Sequence, residues 1–599
     1  MFRPTDPQLS LMESRFLVSP AKRARLERSW AEAFRTHVLP LIDEEVFREC
    51  FSQDNGRPNK SIRLLVGLHL LKEADDLTDE QVLDAVEFNV QWQHALGVEP
   101  AHAHVCEKTL HNFRHKLVEN ARAQAVFQQV TEALMKADGL SSVRQRLDST
   151  HILSNIAVLT RLGLFTETVT NFLRELRKNA PEKLAKLDDG YAERYLDREG
   201  YFADAKREQA QRRLPVVAKD LYALVRAFEA DEVTRVWESY ALMVRLLADQ
   251  CEVVGEATAE ETVKLKEPKE ISGTSLQSPH DPDATYGHKG KGYEAQLAET
   301  CVADNPYQVI TEVGVTGAHA SDQHVTVPLV EGLIARGLAP EVMLADTGFG
   351  SGENIAACAD MGVELVARVQ DPSAPPRPDH WKEPVFSAQT VSPDAPLPAA
   401  PLVQDPAPAE AAPEPAAGEG SGTTRPCEAE MPDTEDQAGQ KLGLEAFRFS
   451  STYAEVATCP AGHVPLVNEI SPGSSPYRAT FDGQVCATCP LADRCPSRPT
   501  ATGDRVLRWR DNKAATATRQ REQQEPAFKE RYKLRSGIES TNAELKGRHG
   551  ARKLRVRRGQ RVRAALHLKV LALNVKRAVQ HHTQALRQIG DTTPAGSAE

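Results

Sequence analysis

The sequence predicts an α/β protein: a mixed sheet with helices, preceded by an all-α segment and carrying a helical insertion and a small cysteine-rich insert. Three observations predict it. Residues 1–140 place apolar side chains at three- and four-residue spacing, as in IRLLVGLHLLKEADDLTDEQVLDAVEFNVQWQHAL, which is the period of packed helices. Between about 283 and 370 the period changes to short β-rich runs that first pair and then alternate with helices. Residues 371–440 hold 15 of the chain's 38 prolines and no apolar periodicity, which predicts a disordered, semi-extended linker.

The elements follow in order. Thr78 and Gln81 are spaced for a capping box that opens a helix. EKTLHNFRHKLVE (107–119) reads as a second helix rich in Lys, His and Arg, so residues 1–140 have a helix-turn-helix outline, which any small helical bundle shares. VRQRLDSTHILSN predicts a strand within 141–159, with Asp148 near its middle. Residues 160–275 return to long helical patterns with no chemical signature, and core packing is the reading for them. In 276–370, YEAQLAETCV and QVITEVGVTG read as paired strands, HVTVPLVEGLIARGL as a helix, VMLAD as a strand leaving into a Gly-rich turn, GENIAACADMG as a helix and VELVARV as a strand. After the linker come the cysteine-bearing module (441–525), two basic helix candidates split by RHGARKLRVRRGQ (526–585) and a frayed tail (586–599).

Composition bounds the function. The chain has 599 residues, 41% hydrophobic and 26% charged, which is ordinary for a soluble globular protein of several domains. No run approaches the roughly 18 apolar residues of a membrane span, and MFRPTDPQLS lacks a signal-peptide pattern. Ten cysteines are too few for a disulfide scaffold, so a cytoplasmic, reducing setting is expected. The net charge of −11 hides an asymmetry. Residues 371–440 carry 13 acidic and 3 basic side chains, whereas residues 526–580 carry 16 basic and 3 acidic ones. A polyanion responds to the local charge, so the basic C-terminal stretch is a nucleic-acid candidate despite a pI near 6.0.

Three carboxylates far apart in sequence could meet at one place. Asp148 lies on a strand, Asp346 ends a buried strand where side chains reach the sheet's edge, and Glu539 lies in the basic stretch. A few acidic oxygens suffice to hold two Mg²⁺ ions for phosphodiester chemistry. Around Glu539 the sequence reads Tyr532-x2-Arg535-x3-Glu539-x6-Lys546, and on one continuous helix these offsets share a face. That face could hold metal through Glu539 and phosphates through Arg535 and Lys546; an Arg–Glu pair on a solvated helix has the same spacing.

Tyr-x2-Arg-x3-Glu-x6-Lys resembles the signature of a group of bacterial insertion-sequence transposases with a DDE active site. RLDST resembles the strand of the family's first Asp, MLADTGFGSGEN the turn of its second, DPDATYGHKGKGYEAQ the approach to its sheet and NVKRA its closing helix. GRPNKSIRLL through KTLHNFRHKL resembles its helical DNA-binding module. The resemblance covers most of the chain apart from 371–440 and the tail. It implies an RNase H-like (retroviral-integrase-like) fold, Asp148, Asp346 and Glu539 as catalytic ligands of Mg²⁺ or Mn²⁺, and Tyr532, Arg535 and Lys546 as DNA-handling residues. Asp304 and Asp322 are rivals for the second Asp, and Glu544 is a rival for the Glu. It further implies double-stranded DNA as partner, both element ends and target, a homodimer on DNA, and a bacterial, nucleoid-associated protein with no membrane partner.

Cys459-x26-Cys486-x2-Cys489-x5-Cys495 could close a tetrahedral Zn²⁺ site, with His463 able to replace one thiolate; an iron–sulfur cluster or plain reduced thiols would use the same residues. Lys289 and Lys291, in YGHKGKGY, could approach a phosphate or lie on a surface loop, and His151 could touch the metal site or be a satisfied partly buried ring. The expected function is DNA transposition by metal-dependent strand cleavage and strand transfer at terminal inverted repeats. The rivals are a transposase-derived DNA-binding repressor that does not cut, and a metal-dependent nuclease that cuts without joining.

Overall fold

A computed structural model describes residues 1–5, 16–196, 207–254, 262–370, 441–469 and 476–592; the predicted linker and residues 593–599 of the predicted tail lie outside them. The N-terminal segment is helical. α1 (Ile62–Ala74) starts at Ser61, whose hydroxyl accepts the Leu64 N–H, and it is buried along almost its whole length. α2 (Asp79–Phe88) opens in the predicted capping box, with Thr78 and Gln81 each accepting the other's backbone N–H. α3 (Glu107–Val118) buries Leu110, Phe113 and Leu117 and turns Lys108, His111 and His115 outward. α4 (Arg122–Ala137) leads to the sheet.

β1 (Arg144–Ile152) is the predicted first strand. Three long helices follow: α5 (Arg161–Asn179), α6 (Arg207–Phe228) and α7 (Glu238–Gln250). They close a core of their own around Phe172, Leu221 and Met243. The chain then returns to the sheet as β2 (Thr285–Gly287), β3 (Gly290–Thr300) and β4 (Ile310–Gly317). α8 (Gln323–Ala335), β5 (Val342–Ala345), α9 (Gly352–Asp360) and β6 (Glu364–Val366) complete it. The strand order is β2-β3-β1-β5-β6, with β4 also paired to β3. β1 runs antiparallel to β3 and parallel to β5, so the sheet is mixed. It is covered on both faces, which is why β3 reads as an unbroken buried run from Tyr293 to Thr300.

After residue 440 a second, four-stranded antiparallel sheet forms: β7 (Val467–Glu469), β8 (Tyr477–Phe481), β9 (Arg498–Pro499) and β10 (Arg505–Trp509), in the order β7-β8-β10-β9. Phe481, Leu507 and Trp509 join Leu147, Met343 and Leu365 of the main sheet in one core, so this module is packed against the sheet. α10 (Asp511–Glu522), α11 (Pro526–Lys533), α12 (Ile538–Gly547) and α13 (Gly559–Thr592) end the chain. α13 crosses back to the start. Its Leu566, Val570 and Leu573 share a core with Phe34, Leu68 and Phe127. The basic turn before α13 is hydrogen-bonded along the end of β1, with Leu153 donating to Arg552 O, Leu554 to Leu153 O and Asn155 to Val556 O.

Two buried histidines in that shared core give it a pH dependence. Nδ1 of His69 lies 2.7 Å from Leu65 O and Nδ1 of His567 lies 2.8 Å from Arg563 O, while both Nε2 atoms are buried without a partner. Burial lowers both imidazoles to about 4, because a second proton would sit on Nε2 with nothing to accept it. The unfolded chain takes up those protons near pH 6.5 and the folded one does not. Stability is therefore expected to be full above pH 6.5 and to fall as the pH drops from 6.5 towards 4. Urea midpoints at pH 7.5 and 5.5 check this, and His567→Leu should flatten the slope.

Candidate active site

β1 and β5 bring two of the predicted residues together. Leu147 is in register with Ala345, so Asp148 and Asp346, each the next residue along parallel neighbours, stand side by side as β5 ends. Gly348 N–H donates to Asp346 Oδ1 at 2.8 Å and fixes that carboxylate in a tight turn. Burial pushes the Asp148 carboxyl up to about 6, with the Arg535 guanidinium opposing the shift and the Asp346 charge adding to it.

Glu539 arrives from the other side, in the first turn of α12. It does not touch either aspartate. Arg535 lies between, with Nη1 at 3.7 Å from Asp148 Oδ1 and Nη2 at 3.4 Å from Glu539 Oε1. The Glu539 side chain is 66% exposed, so its outer oxygen faces solvent. Among the described residues no three His, Cys, Asp or Glu side chains stand close enough to clasp one ion as they are placed. The adjacent pair Asp148 and Asp346 fits a hard divalent cation by its donors, two carboxylates of which one is pushed up by burial beside the other's charge.

Tyr532, Arg535, Glu539 and Lys546 are carried by α11, a 3₁₀ turn and α12 rather than by the one continuous helix expected. A 3₁₀ turn, Leu534–Gly537, separates α11 from α12. Arg146 on β1 reaches this turn: its Nη1 donates to Leu534 O, and a Cβ on Gly537 would lie 1.9 Å from that same nitrogen. Tyr532 is half-buried, stacked on Phe528, with the guanidinium groups of Arg368 and Arg535 over its ring. Lys546 stays on α12 with Glu539, and burial lowers its ammonium, with the nearby Lys289 charge adding to the shift.

The remaining expected residues separate clearly. Lys289 reaches the site, with Nζ 3.3 Å from Ser149 Oγ and 3.4 Å from Glu294 Oε2. Lys291 instead donates to Leu159 O at 2.7 Å and is half-buried there. His151 lies 3.7 Å from Glu294, on the neighbouring strand. Glu544 pairs with Lys576 on α13, and Asp304 lies in the exposed turn after β3, beyond the pairing of Gln145 with Thr300.

Asn542 escaped the sequence reading, and Asp322 entered it only as a rival for the second Asp. Asn542 donates from Nδ2 to Asp148 Oδ2 at 2.9 Å; it lies one turn after Glu539 on the same face, a spacing that was visible. Asp322 sits at the N-cap of α8 but caps nothing there. Its Oδ2 accepts from Ser149 Oγ at 2.8 Å, the residue after Asp148. A Cβ on Gly348 would lie 3.0 Å from Asp346 Oδ1 and 3.5 Å from Asp322 Oδ2, so the two carboxylates flank that glycine. No sequence pattern announces this, because α8 folds back across the sheet to deliver it.

Elsewhere, Cys459, Cys486, Cys489 and Cys495 line one cavity of about 30 Å³ together with His463. Two clefts of about 540 and 850 Å³ run between α3 and the basic turn, sharing His115 and Arg561 and lined also by Arg557 and Arg563.

A family model described as a transposase DDE domain matches residues 271–575, just over half of the chain. The chain belongs to the DDE-domain transposases. A second model, described as a transposase domain, matches residues 25–116, within the helical N-terminal segment. The transposase is also similar to an uncharacterized protein, ORF8 in the nfe locus of Rhizobium meliloti, with 29% identity over 155 residues, which is 24% of this chain and 75% of that protein. No solved structure matches it. The DDE match includes Asp346 and Glu539 but begins after Asp148, which joins the site through the pairing of β1 with β5. The mixed sheet agrees with an RNase H-like transposase fold, and DDE domains as a class depend on divalent metal ions. Among the described residues no helix is long and apolar enough to cross a membrane.

Proposed function

We propose that this transposase, of the group with the Tyr-Arg-Glu-Lys signature, binds the terminal inverted repeats of an insertion sequence and performs strand cleavage and strand transfer there. The observation that carries the reading is the adjacency of Asp148 and Asp346 with Glu539 reached through a single guanidinium. Asp148, Asp346 and Glu539 would hold Mg²⁺ or Mn²⁺, with Asn542 orienting the first of them through Asp148 Oδ2. When bound, the ions supply an activated oxygen nucleophile and neutralise charge on the leaving oxygen. Arg535 pairs with Asp148 and Glu539, and with a cation held by those carboxylates its guanidinium would be available to a DNA phosphate. Lys289 and Lys546 offer further cations on the same side, and the clefts between α3 and the Arg555–Arg563 turn offer a basic path for the duplex. Two protomers, one per element end, join those ends to target DNA.

The test is purified protein with DNA carrying the element's ends, with and without Mg²⁺. The expected result is metal-dependent nicks at the ends followed by joined products. Specific binding without any nick would favour the repressor, and nicks without joining would favour the nuclease. Asp322 takes a supporting part, holding the end of β1 through Ser149 beside Asp346. Asp322→Asn keeps an acceptor for Ser149 but removes the charge, and is expected to raise the Mg²⁺ needed for half-maximal cleavage by roughly 10- to 100-fold. Mn²⁺ binding measured by calorimetry should weaken in parallel.

A further inference from the structure

The cysteine module has no part in the reading above, yet it gathers the densest set of soft ligands among the described residues. Cys459 begins a turn, Cys459-Pro-Ala-Gly-His463, in which Cys459 N–H donates to His463 O and Gly462 N–H to Cys459 O, with Gly462 at φ +85°. His463 N–H points back at the Cys459 sulfur, 3.4 Å away. Cys486 and Cys489 bracket the end of the short helix Gly483–Ala487, where Cys489 N–H donates to Cys486 O. The Cys495 sulfur lies 3.1 Å from Ser497 Oγ, and Arg505 on β10 grips Ser497 by both its hydroxyl and its carbonyl. Two loops distant in sequence thus converge, each shaped by backbone hydrogen bonds, and the neutral contacts of the Cys459 and Cys495 sulfurs, with an N–H and a hydroxyl, are ones a metal-bound thiolate can keep.

We infer that Cys459, Cys486, Cys489 and Cys495 bind one structural Zn²⁺ ion as four thiolates. All four are free thiols, neither buried nor fully exposed, and line the same cavity of about 30 Å³. Cys486 is within electrostatic reach of the other three. Four thiols around a hole are poor packing by themselves, since each leaves atoms without neighbours. A cation in the hole gives each sulfur a bond of about 2.3 Å. As placed the side chains do not yet clasp an ion, so binding draws the Cys459–His463 turn and the Cys486–Cys495 loop together across the cavity. The balance is simple: four S–H protons go to solvent, four Zn–S bonds form and nothing is oxidised. Phe447 and Phe481 line the same cavity and belong to the core shared with the main sheet, so the ion fastens the module where it meets the catalytic domain.

The site is separate from the carboxylates and stands whether or not the protein cleaves DNA. Full-length protein is purified with reductant, stripped with a strong chelator and titrated with Zn²⁺ or Co²⁺. The expected result is one equivalent bound per chain, with the Co²⁺ form showing the intense visible bands of a tetrahedral thiolate site. Cys486→Ser/Cys489→Ser should abolish this signal, and Asp148→Asn/Asp346→Asn should retain it. If the cysteine variant misfolds, alkylation of the wild type decides: Zn²⁺ should protect these four cysteines and leave Cys106 reactive. Absence of stoichiometric metal, a non-thiolate spectrum, or equal alkylation with and without Zn²⁺ would each overturn the assignment.

Discussion

Asp346→Asn is expected to remove end cleavage almost completely, by roughly three orders of magnitude, while leaving DNA binding intact. The substitution changes one oxygen to a nitrogen, so volume and burial hold. The turn after β5 survives, because the remaining amide oxygen can still accept the Gly348 N–H. What goes is one of two adjacent negative charges, and with it the cation affinity of the pair. Asp148→Asn should behave alike, except that its neutral form is already close at hand, since burial brings that carboxyl up to about 6. Cleavage by Asp346→Asn within tenfold of wild type, measured on end-containing DNA with saturating Mg²⁺, would move the chemistry to other residues.

Glu299→Ala is expected to be the most destabilising single change in the catalytic domain, by about 3–5 kcal/mol. The Glu299 side chain is 0% exposed and joins two arginines, Arg146 at 2.6 Å and Arg577 at 2.6 Å. Its Oε1 also accepts from Thr541 Oγ1 at 2.6 Å, two residues after Glu539 on α12. Alanine would strand two largely buried guanidinium groups and untie α12 from the sheet. Urea unfolding gives the number, and a loss below about 1 kcal/mol would reduce the cluster to the rank of surface pairs. Because Arg146 also donates into the 3₁₀ turn at Leu534 and lies against Gly537, the surviving fold should misplace Glu539 and lose cleavage beyond what stability explains.

Much of the architecture was legible because it is written in local periods. The capping box at Thr78, the strand around Asp148 and the strand-to-turn exit at Asp346 each depend on neighbours in sequence, and each formed as read. The 3₁₀ turn between Tyr532 and Glu539 was not legible, and Arg146, which donates into it, lies nearly four hundred residues away. Asp322 was legible only as a rival for the second Asp; that its carboxylate serves β1 through Ser149 depends on the fold. The pairing of Arg535 with two carboxylates at once likewise needed three elements in place.

α13 has a consequence for how the protein comes into being. This 34-residue helix is synthesised long after the N-terminal segment, yet its apolar face completes the core begun by Phe34 and Leu68. The N-terminal bundle must therefore wait, incompletely sealed, until α13 has been made. A chain cut short before Glu539 would lack both that carboxylate and the helix that closes the core, so it should be cleared by proteases rather than persist.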